Sequence, residues 1–461
     1  MDSSEDLLIL GIGVSEHKCD GVLRFEHFCR VFNLAYRILG DGKKWYGGEM
    51  AAGMGGGQKI NEVIIALQEL DNQLVIICDT FDLFPVASKT EIMDKYSQIR
   101  SNKNQVIFSS EVYCWPDKKL ASSYPQVTTK YKFLNSGSIM GYSNDIYNLI
   151  KNGNVKDNDD DQLFFTKKYL ENANIKLDNK CEIFQAINGA YDDIIFHKNR
   201  VYNKYTNSYP IFLHGNGPAK LFLNKLENYI DPYGLTGPTN YSYTMEPVKI
   251  LNHEPKIFFA IYIDSSAHDA YKTFFDSFIN IQYTNKVMHI YDSSNSQDIQ
   301  QLMQMFQIIY HGDTAVNSYV YDDFRSSDCE YYFLLEQRCV ITNTNFLHEL
   351  VPLCNDYHRI ISPLLYGVTN KAFTNYWGDI DGNGYYRRAD DYFSIIEREK
   401  RGLWNAPYIS GAILIHASII NNYDLSKKNS FNDRDMSLCC NLRKETLFMY
   451  TCNLNSYGYL Q

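Results

Sequence analysis

Short apolar runs alternate with amphipathic stretches from Leu7 to Ile230, the pattern of an α/β domain in which buried strands and covering helices take turns. Leu7–Gly11, Leu74–Cys78, Val106–Ser109 and Ile211–Leu213 have the length and composition of strands. Within Lys59–Leu70, Ile60, Val63, Ile64 and Leu67 recur at helical spacing, which predicts a helix. The segment 231–255 gathers Pro232, Gly234, Gly237, Pro238 and Pro255 among few apolar residues. That composition marks a linker between a first domain, 1–230, and a second, 256–461. In the second, Ile257–Ile263, Val287–Tyr291 and Tyr331–Leu335 read as strands separated by helix-like stretches. Their order resembles that of the first half, without sequence repetition close enough to prove duplication.

A chain of 461 residues with 45% apolar and 21% charged side chains is long enough for two cores and ordinary in composition, so it should fold throughout. Its formal charge of −10 argues against a nucleic-acid binder, which needs a basic stripe against phosphate, and suits a basic polypeptide better. The eleven cysteines are scattered without a C-x-x-C pair, which points to reduced, mostly buried thiols rather than a zinc site or disulfide framework. The start, Met1 to Asp6, is acidic, unlike the basic opening of a secretory signal. The longest apolar candidate for a membrane span, Ile409 to Ile420, is cut by His416 and falls short of the roughly 18 residues a span requires. A soluble, cytoplasmic protein is expected, or one of the endoplasmic reticulum lumen if a signal has been removed.

The strongest chemical signal is the run Leu74–Cys78 ending in Asp79-Thr80-Phe81-Asp82. It sets two carboxylates at the carboxyl end of a buried strand, where open α/β sheets bind ligands. Neighbouring carboxylates repel, and a divalent cation is one way to keep both ionised; on D-x-x-D alone, a turn using Asp as a cap is the commoner explanation. A second apolar run ends at His214, followed by Gly215-Asn216-Gly217-Pro218. An imidazole there can complete a carboxylate site suited to Mn²⁺, although a lone histidine is more often structural. The turn Gly53-Met54-Gly55-Gly56-Gly57-Gln58-Lys59 lacks a Walker G-K-[ST]. Its glycine amides, the helix N-terminus and Lys59 together suit a diphosphate, with a merely flexible turn as the alternative. Asp157, Asp159, Asp160 and Asp161 precede the helix-like run Gln162–Leu170; they serve either as favourable helix-start charges or to face a sugar's hydroxyls and developing positive charge. All four tryptophans, Trp45, Trp115, Trp377 and Trp404, lie near turn-forming residues. Trp45 and Trp115 are candidate sugar platforms, with core anchoring the commoner use.

Taken together, these residues carry a resemblance. The blocks WYGGEMAAGMGGGQK from Trp45, CDTFD from Cys78, SEVYCWPD from Ser110, LNSGSIMGY from Leu134, DNDDDQLFFTKKYL from Asp157, IFQAINGA from Ile183 and PIFLHGNGPAKLFLN from Pro210 resemble the glycosyltransferase domain of the collagen lysyl hydroxylase/glycosyltransferase family. NYWG from Asn375 and WNAPYIS from Trp404 extend the likeness into that family's accessory domain. It implies two tandem GT-A-like, Rossmann-like α/β domains, the second degenerate, with Mn²⁺ as cofactor and UDP-glucose as donor. The implied reaction is retaining transfer of glucose to galactosyl-hydroxylysine of collagen-like polypeptide, with no nucleic-acid partner, no membrane span, and homo-oligomerisation left open. By the same resemblance, Asp79, Asp82 and His214 are metal ligands. Lys59, Gly56, Gly57, Phe81, Val14, Trp45, Met50, Gly215, Asn216 and Gly217 fall in the donor region, Asp160, Asp161 and Trp115 are the catalytic candidates, and Cys114 matches a position around the donor sugar and the acceptor.

The sequence departs from the family at several points. Phe81 replaces a tyrosine, which loses a hydroxyl and keeps a ring, and Asn158 interrupts the aspartate run. After Tyr331–Leu335 stands Glu336-Gln337-Arg338, where a cation would repel a metal, so the second domain reads as catalytically silent. The family's dioxygenase domain has no counterpart before Gln461, so lysyl hydroxylation is not expected. The acidic start and the abundance of Asn, Tyr, Ile and Lys resemble stand-alone homologues of giant viruses. Two alternatives to the glucosyltransferase remain: glucose or galactose placed directly on hydroxylysine, and a non-catalytic collagen-binding module.

Overall fold

The computed structural model describes residues 6–49, 54–171, 174–230, 239–245, 251–264, 271–294, 299, 308–312 and 318–461. The chain divides into two compact units, Met1–Leu226 with Ile230–Pro238, and Glu227–Tyr229 with Thr239–Gln461. Much of the linker segment, 231–238 and 246–250, lies outside the described residues, as does Met50. Glu227–Tyr229 group with the second unit because Asn228 hydrogen-bonds Asn405 in both directions, donating to its carbonyl at 3.2 Å and accepting from its amide at 2.8 Å.

The first unit is built on a six-stranded sheet. Leu7–Ser15 lies between Tyr36–Asp41 and Leu74–Asp79, parallel to both. Leu74–Asp79 then pairs antiparallel with Phe133–Tyr142. Val106–Glu111 and Ile175–Leu177 complete the edge. Leu74 through Cys78 are all buried because apolar layers cover both faces, which is why the run is continuously apolar rather than alternating. Val75 and Ile77 pack with Ile60, Val63 and Leu67 of the helix Gly57–Leu67. Leu74, Ile76 and Cys78 pack on the other side with Phe25 and Cys29 of the helix Asp20–Val31. A small second sheet places Phe212–His214 between Phe184–Ala186 and Leu83–Pro85. In it His214 pairs with Leu83, one residue beyond Asp82.

The second unit repeats this plan. Ile257–Ile263 is parallel to Lys286–Asp292 and to Tyr331–Glu336, and Tyr331–Glu336 is antiparallel to Ala412–His416. The apolar stretch around Ile409–Ile420 is therefore a buried sheet strand followed by the helix Ala417–Asn422, with the His416 side chain capping that helix by accepting from the Ser418 amide. No helix among the described residues is long and apolar enough to cross a membrane. All eleven cysteines are free thiols.

Candidate metal and donor site

Asp79 ends its strand, and Thr80 turns the chain by donating its hydroxyl to the Ile12 carbonyl at 2.8 Å. The next turn returns Asp82 beside His214, and the Gly215 amide donates to the Asp82 carbonyl at 2.8 Å. Asp79, Asp82 and His214 thereby bring one ligand atom each within 4.8 Å of one another. Lys59 Nζ donates to Asp79 Oδ1 at 2.8 Å and lies 3.7 Å from Asp161 Oδ2. Lys220 Nζ stands 3.3 Å from Asp82 Oδ2.

The orientation of His214 is fixed by a chain of hydrogen bonds. Asn135 Nδ2 donates to Glu111 Oε1 at 3.1 Å, and Asn135 Oδ1 accepts from the Gly137 amide at 3.1 Å. Its oxygen therefore faces His214 Nδ1, 3.2 Å away, so Nδ1 carries the proton. Nε2 is left 3.4 Å from Asp82 Oδ1. There it either holds a second proton against the carboxylate or offers its lone pair to a cation. Glu111 is buried and also accepts from Gln162 at 2.7 Å and Asn216 at 3.0 Å. Glu111, Asn135, Ser136, Gln162 and Lys220 were not singled out by the sequence reading, although each lies in a quoted block; no spacing rule marks a buried carboxylate that acts through an amide.

Electrostatics match this layout. Burial works against the Lys59 ammonium, but the Asp79 and Asp161 carboxylates outweigh it and hold its pKa above the ordinary value. Burial likewise opposes Asp82 ionisation, yet Lys220 and His214 hold that carboxyl well below the usual range. Burial lowers His214, and Asp82 more than reverses the shift. Asp160 is pushed up to about 6 by burial, with Asp161 adding to the effect. Burial also raises Asp161 and Glu111.

Four amides of the glycine turn expected to cradle an anion are already engaged, and Gly53 lies outside the described residues. The Gly56 amide donates to Gly47, Gly57 to Asp159, Gln58 to Asp157 and Lys59 to Gly56, all at 2.8–2.9 Å. From Gly56 to Lys59, what the turn presents to an anion is the Lys59 ammonium. The glycines instead allow close approach. Gly56 has φ 102°, and a Cβ there would sit 2.3 Å from Asp161 Oδ1, while one at Gly57 would meet the Lys156 carbonyl at 2.0 Å. The acidic cluster divides its work. Asp160 Oδ1 caps the helix Asp161–Glu171 by accepting from the Leu163 amide at 2.6 Å. Asp161 Oδ2 accepts from the Ser136 hydroxyl at 3.1 Å and faces Lys59. Asp157 and Asp159 are tied to Asn61 and to the Lys156 amide.

Of the other candidates, Trp115 is 42% exposed, and its carbonyl accepts from Gln162. Cys114 Sγ lies 3.3 Å from the Asp117 carbonyl. Trp45 donates to the Gly48 carbonyl and packs against the core around Ile60. Val14 is buried, Phe81 is half-buried, and Asn216 joins Glu111 to the Asn188 amide. Gly217 follows with φ 58°. Trp404 is a fully buried anchor.

Two carboxylates and one imidazole, with the imidazole tautomer set from behind, fit a divalent cation such as Mn²⁺. The sequence as a whole points the same way. Residues 3–236 match the family model of the PLOD GT domain, and residues 307–461 match that of the glycosyltransferase family 25 N-terminal domain. The chain is 51% identical to protein R699 of Acanthamoeba polyphaga mimivirus over 460 residues, covering 100% of this chain and 99% of that one. This chain is a glycosyltransferase of the procollagen lysyl hydroxylase (PLOD) family. It is 31% identical to the human multifunctional procollagen lysine hydroxylase and glycosyltransferase LH3 over 493 residues, which cover 99% of this chain but 65% of that protein's length. The mannosyltransferase PcManGT of Pyrobaculum calidifontis, solved with GDP-Man and Mn²⁺, overlaps 47% of this chain and 60% of its own at 9% identity and a TM-score of 0.32, too slight a superposition to add to the assignment. The GT-A α/β fold follows from the PLOD family model and the mixed sheet.

The second unit of this PLOD-type chain treats the corresponding strand end differently. Glu336 ends its strand, with Tyr262 as its partner as Ile12 is the partner of Asp79. Arg434 donates to Glu336 Oε1 at 3.0 Å, and Arg338 Nη2 donates to Asp435 Oδ2 at 2.7 Å. Arg338 Nε lies 2.8 Å from Glu336 Oε2 as an ion pair whose angle falls short of a hydrogen bond. Tyr319 donates its one hydroxyl proton between Glu336 and Asp435, at 2.9 and 2.6 Å. The expected repulsion at Arg338 thus takes a different form: both guanidinium groups are engaged with the carboxylates a cation would need.

Proposed function

We propose that this chain transfers glucose from UDP-glucose, with retention of configuration, to galactosyl-hydroxylysine of collagen-like polypeptides, and that it depends on Mn²⁺. The observation that carries the proposal is the convergence of Asp79, Asp82 and His214 beside Lys59 in a member of the PLOD glycosyltransferase family. An ion held by those three residues supplies positive charge against the diphosphate that leaves with UDP. Lys59, held cationic by Asp79 and Asp161, is placed to share that charge. Asp161, fixed by Ser136 and Lys59, orients the donor sugar, and Asp160 faces positive charge developing at the reacting carbon. Trp115 lines the acceptor side, and Val14, Trp45, Phe81, Gly56, Gly57 and Gly215–Gly217 border the donor.

The second unit serves as a non-catalytic accessory, a reading supported by the arginines on Glu336 and Asp435. The identity to a mimivirus protein supports a location in host cytoplasm, with the endoplasmic reticulum lumen as the alternative.

The test is UDP release from UDP-glucose with and without a galactosyl-hydroxylysine peptide, in Mn²⁺ and in EDTA. Metal-dependent release that rises with the peptide is expected. Silence in every condition from folded protein overturns the enzyme reading in favour of a collagen-binding module. A panel of UDP-sugars and unglycosylated hydroxylysine peptides separates glucose from galactose, and galactosyl-hydroxylysine from hydroxylysine.

A further inference from the structure

The second unit contains another convergence of ligand side chains, on a different strand pair from the Glu336 network. The strand Ile309–His311 forms the edge of its sheet and runs parallel to Lys286–Asp292, with Ile309 opposite His289 and His311 opposite Tyr291. Alternate residues of a strand share a face, so His289, Tyr291 and His311 lie on one side of the sheet. The short helix Asp322–Arg325 packs on that side through Phe324 against Phe258. It delivers Asp323 to the two histidines. His289 Nδ1 and His311 Nε2 are 3.1 Å apart, Asp323 Oδ2 is 3.6 Å from His311 Nε2, and all three donor atoms lie within 4.8 Å of one another.

We infer that His289, His311 and Asp323 bind a borderline first-row divalent cation, of which zinc is the best match. Two imidazoles and one carboxylate favour zinc over the harder ions that suit the carboxylate-rich cluster of the first unit. Nitrogen ligands about 2.0–2.1 Å from such an ion are about 3.0 Å apart at a right angle and about 3.4 Å apart at a tetrahedral one. The observed 3.1 Å falls in that interval, and the carboxylate oxygen stands a little outside it, 3.6 Å from His311 Nε2.

The ligands are also held in place. His311 stacks on Tyr291 with ring centres 4.7 Å apart, His289 packs on Phe258 at 4.3 Å, and the Tyr291 hydroxyl donates to Asp323 Oδ2 at 2.7 Å. Such support behind the ligands is what a metal site needs in order to keep its geometry. The His311 and Asp323 side chains are 30% and 38% exposed, so an ion has a way in and water can complete its shell. A hydrogen bond between the histidines also accounts for a 3.1 Å contact. It does not account for a third ligand atom held by a tyrosine within 4.8 Å of both nitrogens. The ion ties the sheet's edge strand to the Asp322–Arg325 helix, a structural role independent of the transfer site.

The experiment uses the full chain carrying Asp82→Ala, which removes the first cluster as a competitor for zinc, with uptake followed by equilibrium dialysis and by thermal melting. One zinc per chain and a zinc-dependent rise in melting temperature are expected. Adding His311→Gln should weaken uptake by more than about 100-fold, beyond what supporting residues alone contribute, and abolish the rise in melting temperature. His289→Gln should do the same if the first variant fails to fold. The inference is overturned if the Asp82→Ala chain takes up no zinc, or if folded glutamine variants take it up as well as their parent, which would leave the pair as a hydrogen bond only.

Discussion

The strands Leu74–Asp79 and Tyr331–Glu336 hold the same place in their two sheets. Each is parallel to the first strand of its unit and antiparallel to a later one. Each is buried up to the carboxylate in which it ends. Beyond that point the two diverge. Three residues after Asp79 comes Asp82, in reach of His214, whereas three after Glu336 comes buried Cys339. The second carboxylate there, Asp435, comes from the helix Arg434–Lys444 instead. Its neighbour Arg434, together with Arg338, engages the pair. One scaffold thus gathers negative charge at a strand end in two ways. The first brings two carboxylates and an imidazole together with the Lys59 and Lys220 ammonium groups beside them, and the second matches its carboxylates with guanidinium groups and, among the described residues, holds no imidazole beside them. Position in the fold alone does not make a site; the identity of the counter-charge decides what can bind there.

The comparison breaks most readily at Asp82. Asp82→Ala removes a carboxylate donor, and UDP release should fall by at least about 10²–10³-fold, as for loss of one preorganised electrostatic stabiliser, while the circular dichroism spectrum is retained. Full turnover in folded variant protein would remove Asp82 from the metal assignment. In the second unit the counterpart is Arg434→Met. It keeps an apolar stem over Tyr262 and Tyr319, each 5.4 Å from the guanidinium, but leaves Glu336 and Asp435 with one cation between them. Breaking a buried pair from one side costs about 3 kcal/mol, to be read by denaturant unfolding, with glycosyl transfer per folded molecule unchanged. A loss of transfer in folded Arg434→Met would assign the second strand end a catalytic part.

Much of this contrast was legible in the sequence, and the part that was not has a physical reason. Apolar runs marked the central strands because both faces are buried, and D-x-x-D marked the turn because its carboxylates are close along the chain. Asp82 and His214 are far apart in sequence: residue type offered His214 as a candidate to complete the carboxylate site, and the resemblance set it beside Asp82; the small sheet that pairs His214 with Leu83 has strands too short to announce themselves. The glycine turn misled because composition does not tell whether an amide is free, and here the acidic loop uses it. Nor does spacing predict that Asp435 would reach Glu336, since that pairing depends on how a late helix packs.

A finer test bears on His214 rather than on charge. A Cβ at Gly137 would lie 2.3 Å from His214 Cε1, so Gly137→Ala displaces the ring without touching either carboxylate. Apparent Mn²⁺ affinity should drop by about 10–100-fold, the range for disturbed support behind a metal ligand, with turnover largely recovered at high Mn²⁺. Unchanged Mn²⁺ dependence in a titration of activity would show that the imidazole is not a ligand.

The last test concerns pH and separates the two strand ends again. Asp82 is held below the usual carboxylate range, whereas Asp435 is pushed up to about 7, by burial and by Glu336 beside it. A folded-state value above the unfolded value of about 3.9 means that folding takes up a proton between the two. The stabilisation from protonated Asp435 is therefore complete below about pH 4 and is lost as pH rises toward 7, at a slope of at most about 1.4 kcal/mol per pH unit for one proton. Asp435→Asn keeps an acceptor for Tyr319 and Arg338 and does not titrate. The difference in unfolding free energy between parent and variant should thus shift in favour of the variant from pH 4 to pH 7. Parallel curves across that window would mean that the arginines keep Asp435 ionised throughout, and the second strand end would then differ from the first only in which cation it holds.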